Sequence, residues 1–200
     1  MSTEAPRGHC IATDVFRDYW RFLTFRPLSD RLRTHSLLYL MAGIVCTWVA
    51  GMGRYWDNSR AEWWQHAGLG SLMYVSILAL VIWALLVPLR PQRWSYRNVL
   101  LFVVMTSPPA LLYAIPVERL VSLDAARDLN VWFLAVVATW RVALYVVFLR
   151  KVAGLRTGDL IVASLLPLAL IVSALAAFNL EHVVFRLMSG IRATEASAND

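Results

Sequence analysis

Residues 98 to 119 read NVLLFVVMTSPPALLYAIPVER, an apolar run broken near its middle by Ser107-Pro108-Pro109 and closed by Pro116 and the Glu118-Arg119 pair. The run is too apolar for a soluble surface and too interrupted for a passive anchor. In a bilayer, a carbonyl that proline leaves without its helical donor needs another partner. Such a break survives only where neighbouring helices or a wet cavity cover it. The span is therefore expected at the centre of a small helical bundle.

The rest of the chain supplies the other helices. Of its 200 residues 59% are apolar and nine are tryptophan, whereas soluble domains are about half apolar. Runs of about 17 or more mostly apolar residues can cross a bilayer core. Five such runs are present: Ser36 to Met52, Gly68 to Pro88, Val99 to Pro116, Val131 to Leu149, and Leu160 to Phe178. The expected fold is an all-α integral membrane protein, a five-helix transmembrane bundle preceded by an interfacial amphipathic helix. Residues 1 to 35 form a cytoplasmic tail, 36 to 189 the membrane domain, and 190 to 200 an exterior tail. The first 35 residues contain no short apolar core before a small-residue cleavage site, so the first span is expected to stay in the mature protein.

The net charge of +6 does not call for nucleic acid. Residues 1 to 35 carry six arginines against four acids, the 90 to 97 connection has Arg90, Arg93 and Arg97, and the 150 to 156 connection has Arg150, Lys151 and Arg156. The connections at 54 to 66 and 117 to 129 are neutral and slightly acidic. Positive charge thus alternates with each crossing, which places the N-terminus in the cytoplasm and the C-terminus outside. Cys10 and Cys46 cannot form a disulfide framework. One lysine against 18 arginines fits a bacterial genome of high GC content, and the expected location is a bacterial inner membrane.

Residues 14 to 24, DVFRDYWRFLT, divide at helical spacing into two sides. Val15, Phe16, Tyr19, Trp20, Phe22 and Leu23 cover one, and Asp14, Arg17, Asp18, Arg21 and Thr24 the other. Thr13 is expected to cap this helix and Arg26-Pro27 to end it. Its aromatics would sit at the acyl boundary and its arginines among anionic headgroups. Beyond the first span, Ser59-Arg60-Ala61-Glu62 has the form of a capping box, with a helix beginning near Arg60 and Glu62 at its third position. Glu62 and His66 would then share a face.

Two groups of polar residues are candidate sites. Pro108 and Pro109 remove the helical donors to the carbonyls of Val104 and Met105, and Thr106 and Ser107 can partly satisfy what is freed. Arg141 lies about eleven residues, some 16 Å, below the outer end of the fourth span. A guanidinium there costs about 2.5 to 3.5 kcal/mol unless it is paired. Its five donors match the freed carbonyls, and Asn130 extends the polar stripe outward on the same face. The group works either as a structural lock between spans three and four or as an anion, lipid-headgroup or proton pathway.

The second group follows from topology, which puts Asp57, Glu62, His66, Glu118, Arg119, Asn179, Glu181 and His182 at the outer side. His66, His182, Glu62 and Glu181 have metal-ligand chemistry. No His-Glu-x-x-His pair joins them, so ion pairs and headgroup contacts are the expected roles. Ser107 has no GxSxG setting and no histidine at its depth, which argues against hydrolase chemistry. No motif calls for a cofactor.

The order of a cytoplasmic tail, a Phe25-Arg26-Pro27-Leu28 segment, five spans and a short exterior C-terminus resembles the Yip1 family and its bacterial relatives. The Asp-Leu-x-Gly-Pro and Gly-Tyr-Pro motifs of the eukaryotic members are not found, although Tyr113-Ala-Ile-Pro116 occupies a comparable proline-bearing region. The resemblance implies a membrane organiser or adaptor rather than a catalyst. Three functions stay open: a non-enzymatic interaction module, as homo-oligomer or subunit, partnered by lipid and protein; a small transporter or channel component built around Arg141 and Pro108-Pro109; and a membrane-embedded enzyme using the outer Glu and His residues.

Overall fold

A computed structural model describes residues 11–27, 31–56, 62–92, 94–117 and 120–177. Among these residues every regular element is helical. They are α1 (Ile11–Leu23), α2 (Arg31–Thr34), α3 (Ser36–Tyr55), α4 (Trp63–His66), α5 (Leu69–Leu86), α6 (Tyr96–Met105), α7 (Leu123–Lys151) and α8 (Thr157–Ala177). A 3-10 turn over Val87–Leu89 extends α5, and a 3-10 segment over Pro108–Ala114 follows α6. Among the described residues three helices are long and apolar enough to cross a membrane: Ser36–Tyr55, Leu69–Leu89 and Asp128–Lys151. The bent pair Tyr96–Met105 and Pro108–Ala114, with 46° between its halves, makes up to four, and the apolar part of α8, Thr157–Ser173, is shorter.

The broken span is the centre of the bundle. Ser95 accepts a hydrogen bond from the Asn98 N–H at 3.2 Å and so caps α6. From there Val99 and every residue from Leu101 to Ser107 are buried. Phe102 stacks on Phe148 of α7 at 4.3 Å between centroids and meets Phe22 of α1 and Tyr145 of α7 at about the spacing of edge and tilted ring pairs.

Side-chain contacts fix the course of the chain. Arg97 donates to the Ser36 hydroxyl at 2.8 Å, Thr47 meets Ser107 at 2.6 Å, and Trp56 donates to the Ala114 carbonyl at 3.2 Å. The broken span therefore runs parallel to α3. Nine residues of α-helix from Thr47 to Trp56 rise about 13.5 Å, and seven residues of 3-10 helix from Ser107 to Ala114 rise about 14 Å. The tighter winding lets the second half keep pace with α3.

The remaining helices alternate in direction. Trp48 donates to the Ala67 carbonyl at 2.7 Å where α3 meets the start of α5. Gln92 N–H donates to the Ala153 carbonyl at 2.9 Å, joining the connection before α6 to the one after α7. Tyr145 of α7 donates to the Ala163 carbonyl of α8 at 3.0 Å. Arg90, Arg97, Arg150, Lys151 and Arg156 consequently share one end of the bundle.

Two expectations need correction. On α1, helical spacing puts Asp18 on the polar side, whereas its side chain is buried. Tertiary hydrogen bonds turn the helix. The Tyr39 hydroxyl donates to Asp18 Oδ2 at 2.6 Å, and the Tyr19 hydroxyl donates to the Tyr39 carbonyl at 2.8 Å. Burial pushes the Tyr19 pKa upward, which keeps it a neutral donor. The helix is also already formed at Ile11, before Thr13, and stops in a Schellman motif rather than at proline. There Arg26 N–H reaches the Arg21 carbonyl at 2.8 Å, Phe25 N–H reaches Phe22 at 3.1 Å, and Phe25 takes φ 60°.

The second correction concerns Glu62, which is an N-cap and not a third helical residue. Its backbone is extended, and it forms a capping box with Gln65, whose side chain accepts from the Glu62 N–H at 2.8 Å. The Ser59-Arg60-Ala61 part of the expected box lies outside the described residues.

Candidate functional site

Arg141 reaches the broken span. Its Nε donates to the Thr106 carbonyl at 3.0 Å, in partly buried surroundings. The expected acceptors were the carbonyls of Val104 and Met105, and the actual one lies farther along the chain. After the prolines the backbone tightens: Ser107 N–H bonds the Val104 carbonyl at 3.1 Å and Ala110 N–H bonds the Ser107 carbonyl at 2.8 Å. In a regular helix the Ala110 N–H would have served Thr106. The switch to 3-10 spacing therefore releases the Thr106 carbonyl, and Arg141 takes it.

The two hydroxyls at the break are also occupied. Thr106 Oγ1 donates back to the Val103 carbonyl at 2.6 Å. Thr47, in the middle of α3, donates to the Gly43 carbonyl at 2.8 Å and meets the Ser107 hydroxyl at 2.6 Å. Interhelical hydrogen bonds in membranes average about 0.6 kcal/mol and reach about 1.7. A double-mutant cycle of Thr47→Val and Ser107→Ala, read by denaturation in mixed micelles, is expected to give a coupling of that size. A coupling of zero would mean that the two hydroxyls do not meet.

Beyond the break, Tyr113 on the 3-10 segment brings in a second cation. The Arg54 guanidinium carbon lies 4.8 Å from the centre of the Tyr113 ring, a cation–π geometry. The Arg54 guanidinium of α3 thus caps a tyrosine on the broken span. Thr47 and Arg54 were not among the residues singled out from sequence, and Tyr113 entered only as the start of a proline-bearing segment. Thr47 is a single hydroxyl inside an apolar run, and only its pairing with Ser107 gives it meaning.

Asn130 is buried but lies about 16 Å along α7 from Arg141, too far for contact. Glu62 precedes α4 and His66 is its last residue, and both are exposed. Asp57, Glu118, Arg119, Asn179, Glu181 and His182 lie outside the described residues. Among the described residues no three His, Cys, Asp or Glu side chains come together as a metal-ligand set.

Among the described residues the fold and site define an all-helical protein with up to four membrane-length helices, centred on a proline-broken span that an arginine holds. No family profile, curated protein or solved structure matches the chain.

Proposed function

We propose that this protein is a non-enzymatic, five-span module of a bacterial inner membrane that works by association, with a second copy of itself packing against the later half of α8. Its N-terminus is cytoplasmic in this reading, and the gathering of Arg90, Arg97, Arg150, Lys151 and Arg156 at one end supports that orientation. The Yip1-like order of elements implies the same class of role.

The observation that carries the reading is on α8, where a stripe of small residues is exposed. Its first half is anchored by buried Ala163 and Pro167 and by the Tyr145 hydrogen bond. From Leu168 to Ser173 every residue is exposed, which takes in more than a full helical turn. Lipid can cover such a helix as readily as protein can, so apolarity alone does not favour association. Ala169, Ser173 and Ala177 recur every fourth residue and give α8 one smooth stripe on which backbones can approach closely.

The test is the oligomeric state of the full-length protein in mild detergent and in liposomes, by light scattering and by energy transfer between labelled copies. Wild type is expected to self-associate. Ala169→Leu with Ser173→Leu is expected to raise the dissociation constant at least tenfold at unchanged helical content. A monomeric wild type, or an unaltered oligomer in the double variant, would remove the proposal's support.

A further inference from the structure

The basic end of the bundle carries unengaged charge. Arg90, Arg150, Lys151 and Arg156 are exposed, and no side-chain hydrogen bond or ion pair joins any of them to a described residue. Asp159, one turn past Arg156 at the start of α8, pairs with none of them. Other arginines are engaged. Arg17 and Arg21 lie 3.9 Å from Asp14 and Asp18, Arg54 caps Tyr113, Arg97 donates to Ser36, and Arg141 donates to Thr106.

The backbone that carries the unengaged charges is pinned. Arg90 N–H reaches the Val87 carbonyl at 3.1 Å, Gln92 N–H the Ala153 carbonyl at 2.9 Å, and Trp94 Nε1 the Trp83 carbonyl at 3.0 Å. The Trp94 ring also meets Phe148 at 6.1 Å. The Gln92 bond joins the two basic connections, and a residue of chain spans at most about 3.6 Å. Each of the four cations therefore has its Cα within about 11 Å of Gln92 or Ala153. Arg90 takes φ 47°, a left-handed conformation that glycine adopts freely and other residues only at a cost. Orienting a chain in a membrane calls for a count of cations and not for a fixed backbone, so this arrangement exceeds what orientation needs. Val87 and Val152, both exposed, stand beside the charges and offer each basic connection an apolar neighbour.

We propose that Arg90, Arg150, Lys151 and Arg156 form a headgroup site for an anionic phospholipid, with the cations on its phosphate and Val87 and Val152 against its acyl chains. Arg90 and Lys151 stand at the ends of the membrane-length helices Leu69–Leu89 and Asp128–Lys151, which in a bilayer is headgroup level. The arginine forks take phosphate in two-pronged fashion, and Lys151 adds a point charge. Because the connections are already fixed, little is left to order on binding. The site rests on the membrane-spanning part of the functional reading and not on the α8 association, so its failure leaves the oligomeric state unchanged.

The experiment uses the full-length protein, exchanged out of micelles containing equal phosphatidylglycerol and phosphatidylcholine, with retained lipid read by native mass spectrometry. The expected result is preferential retention of phosphatidylglycerol. Arg90→Gly and Lys151→Gln are each expected to lower that preference about fivefold, the effect of one cation at an anionic surface, and Arg90→Gly with Arg156→Gln at least tenfold. Arg90→Gly is the sharper variant, since glycine relieves φ 47° and the fold is expected to hold. Arg26→Gln is the charge-matched control. Arg26 follows Leu23, whose carbonyl takes Trp140, about 16 Å along α7 from Lys151 and beyond the screening length of about 8 Å in physiological salt. Its expected change is under about twofold. Equal retention of both lipids by the wild type overturns the proposal, even where sodium phosphate protects the protein against heating. Unchanged preference in the folded double variant overturns it too, and so does an equal loss in Arg26→Gln, which marks a diffuse attraction to net charge. Should the double variant fail to fold, unchanged preference in both single variants overturns the proposal, and a loss in either that Arg26→Gln does not share sustains it.

Discussion

Gly43→Val is expected to force α3 away from α6 and to release α1 from the bundle. A Cβ at Gly43 would stand 2.5 Å from Val104 Cγ2, 2.8 Å from Val104 Cβ and 2.7 Å from the Tyr19 hydroxyl oxygen. None of these atoms can yield easily. Val104 is fully buried and β-branched, so it has little freedom at χ1. Tyr19 is tied to the Tyr39 carbonyl. Overpacking of this kind costs about 1 to 3 kcal/mol, sometimes more, and valine adds two methyl groups beyond the Cβ.

The strain would also reach the broken span, because the Gly43 carbonyl accepts from Thr47, whose hydroxyl meets Ser107. Denaturant titration in mixed micelles measures the loss, and tryptic cleavage at Arg17 and Arg21 reports the release of α1. Stability equal to wild type with α1 still protected would show that the three helices do not approach at Gly43.

Gly68→Val is expected to be at least as damaging, for a different reason. Gly68 begins α5 at φ +67°, and a Cβ there would lie 2.8 Å from the Trp48 carbonyl oxygen and 3.0 Å from the Met52 nitrogen. The left-handed conformation costs an ordinary L-residue about 1 to 2 kcal/mol, and a β-branched residue fares worse. The obstructing atoms are backbone atoms of α3, so no side-chain rotation relieves them. Adding an overpacking cost brings the expected loss to about 3 kcal/mol or more. Gly158→Ala is the matched control, since a Cβ there meets nothing within 4 Å. Its expected change is within about 0.5 kcal/mol. If both variants unfold together with wild type, the close passage of α3 over the α5 start is not as described.

The helical class and the central place of the broken span were legible in the sequence because each depends on local chemistry. Long apolar runs leave the backbone no partner but itself in lipid, and Pro108 and Pro109 break a helix wherever they stand. Arg141 was legible as a charge in an apolar run that had to find a partner near the break. Its acceptor was not. That depended on the backbone after Pro109 tightening to 3-10 spacing, which moved the freed carbonyl to Thr106.

The same limit applies to α1. Its spacing of Tyr19, Phe22 and Leu23 marks an apolar side, but burial of Asp18 depends on Tyr39, 21 residues away. Thr47 and Arg54 carried no local signal either, and Tyr113 none beyond its place before Pro116, since each draws its role from a partner on another element. The sequence by itself determined the helices, their interruption at Ser107-Pro108-Pro109 and the need to satisfy Arg141, all consequences of backbone hydrogen bonding within a few residues. Only the tertiary structure decided which carbonyl Arg141 takes, which face of α1 is buried, and which side chains surround Tyr113. Those choices belong to helices packed side by side, and each is settled by a few ångströms of approach that no single segment encodes.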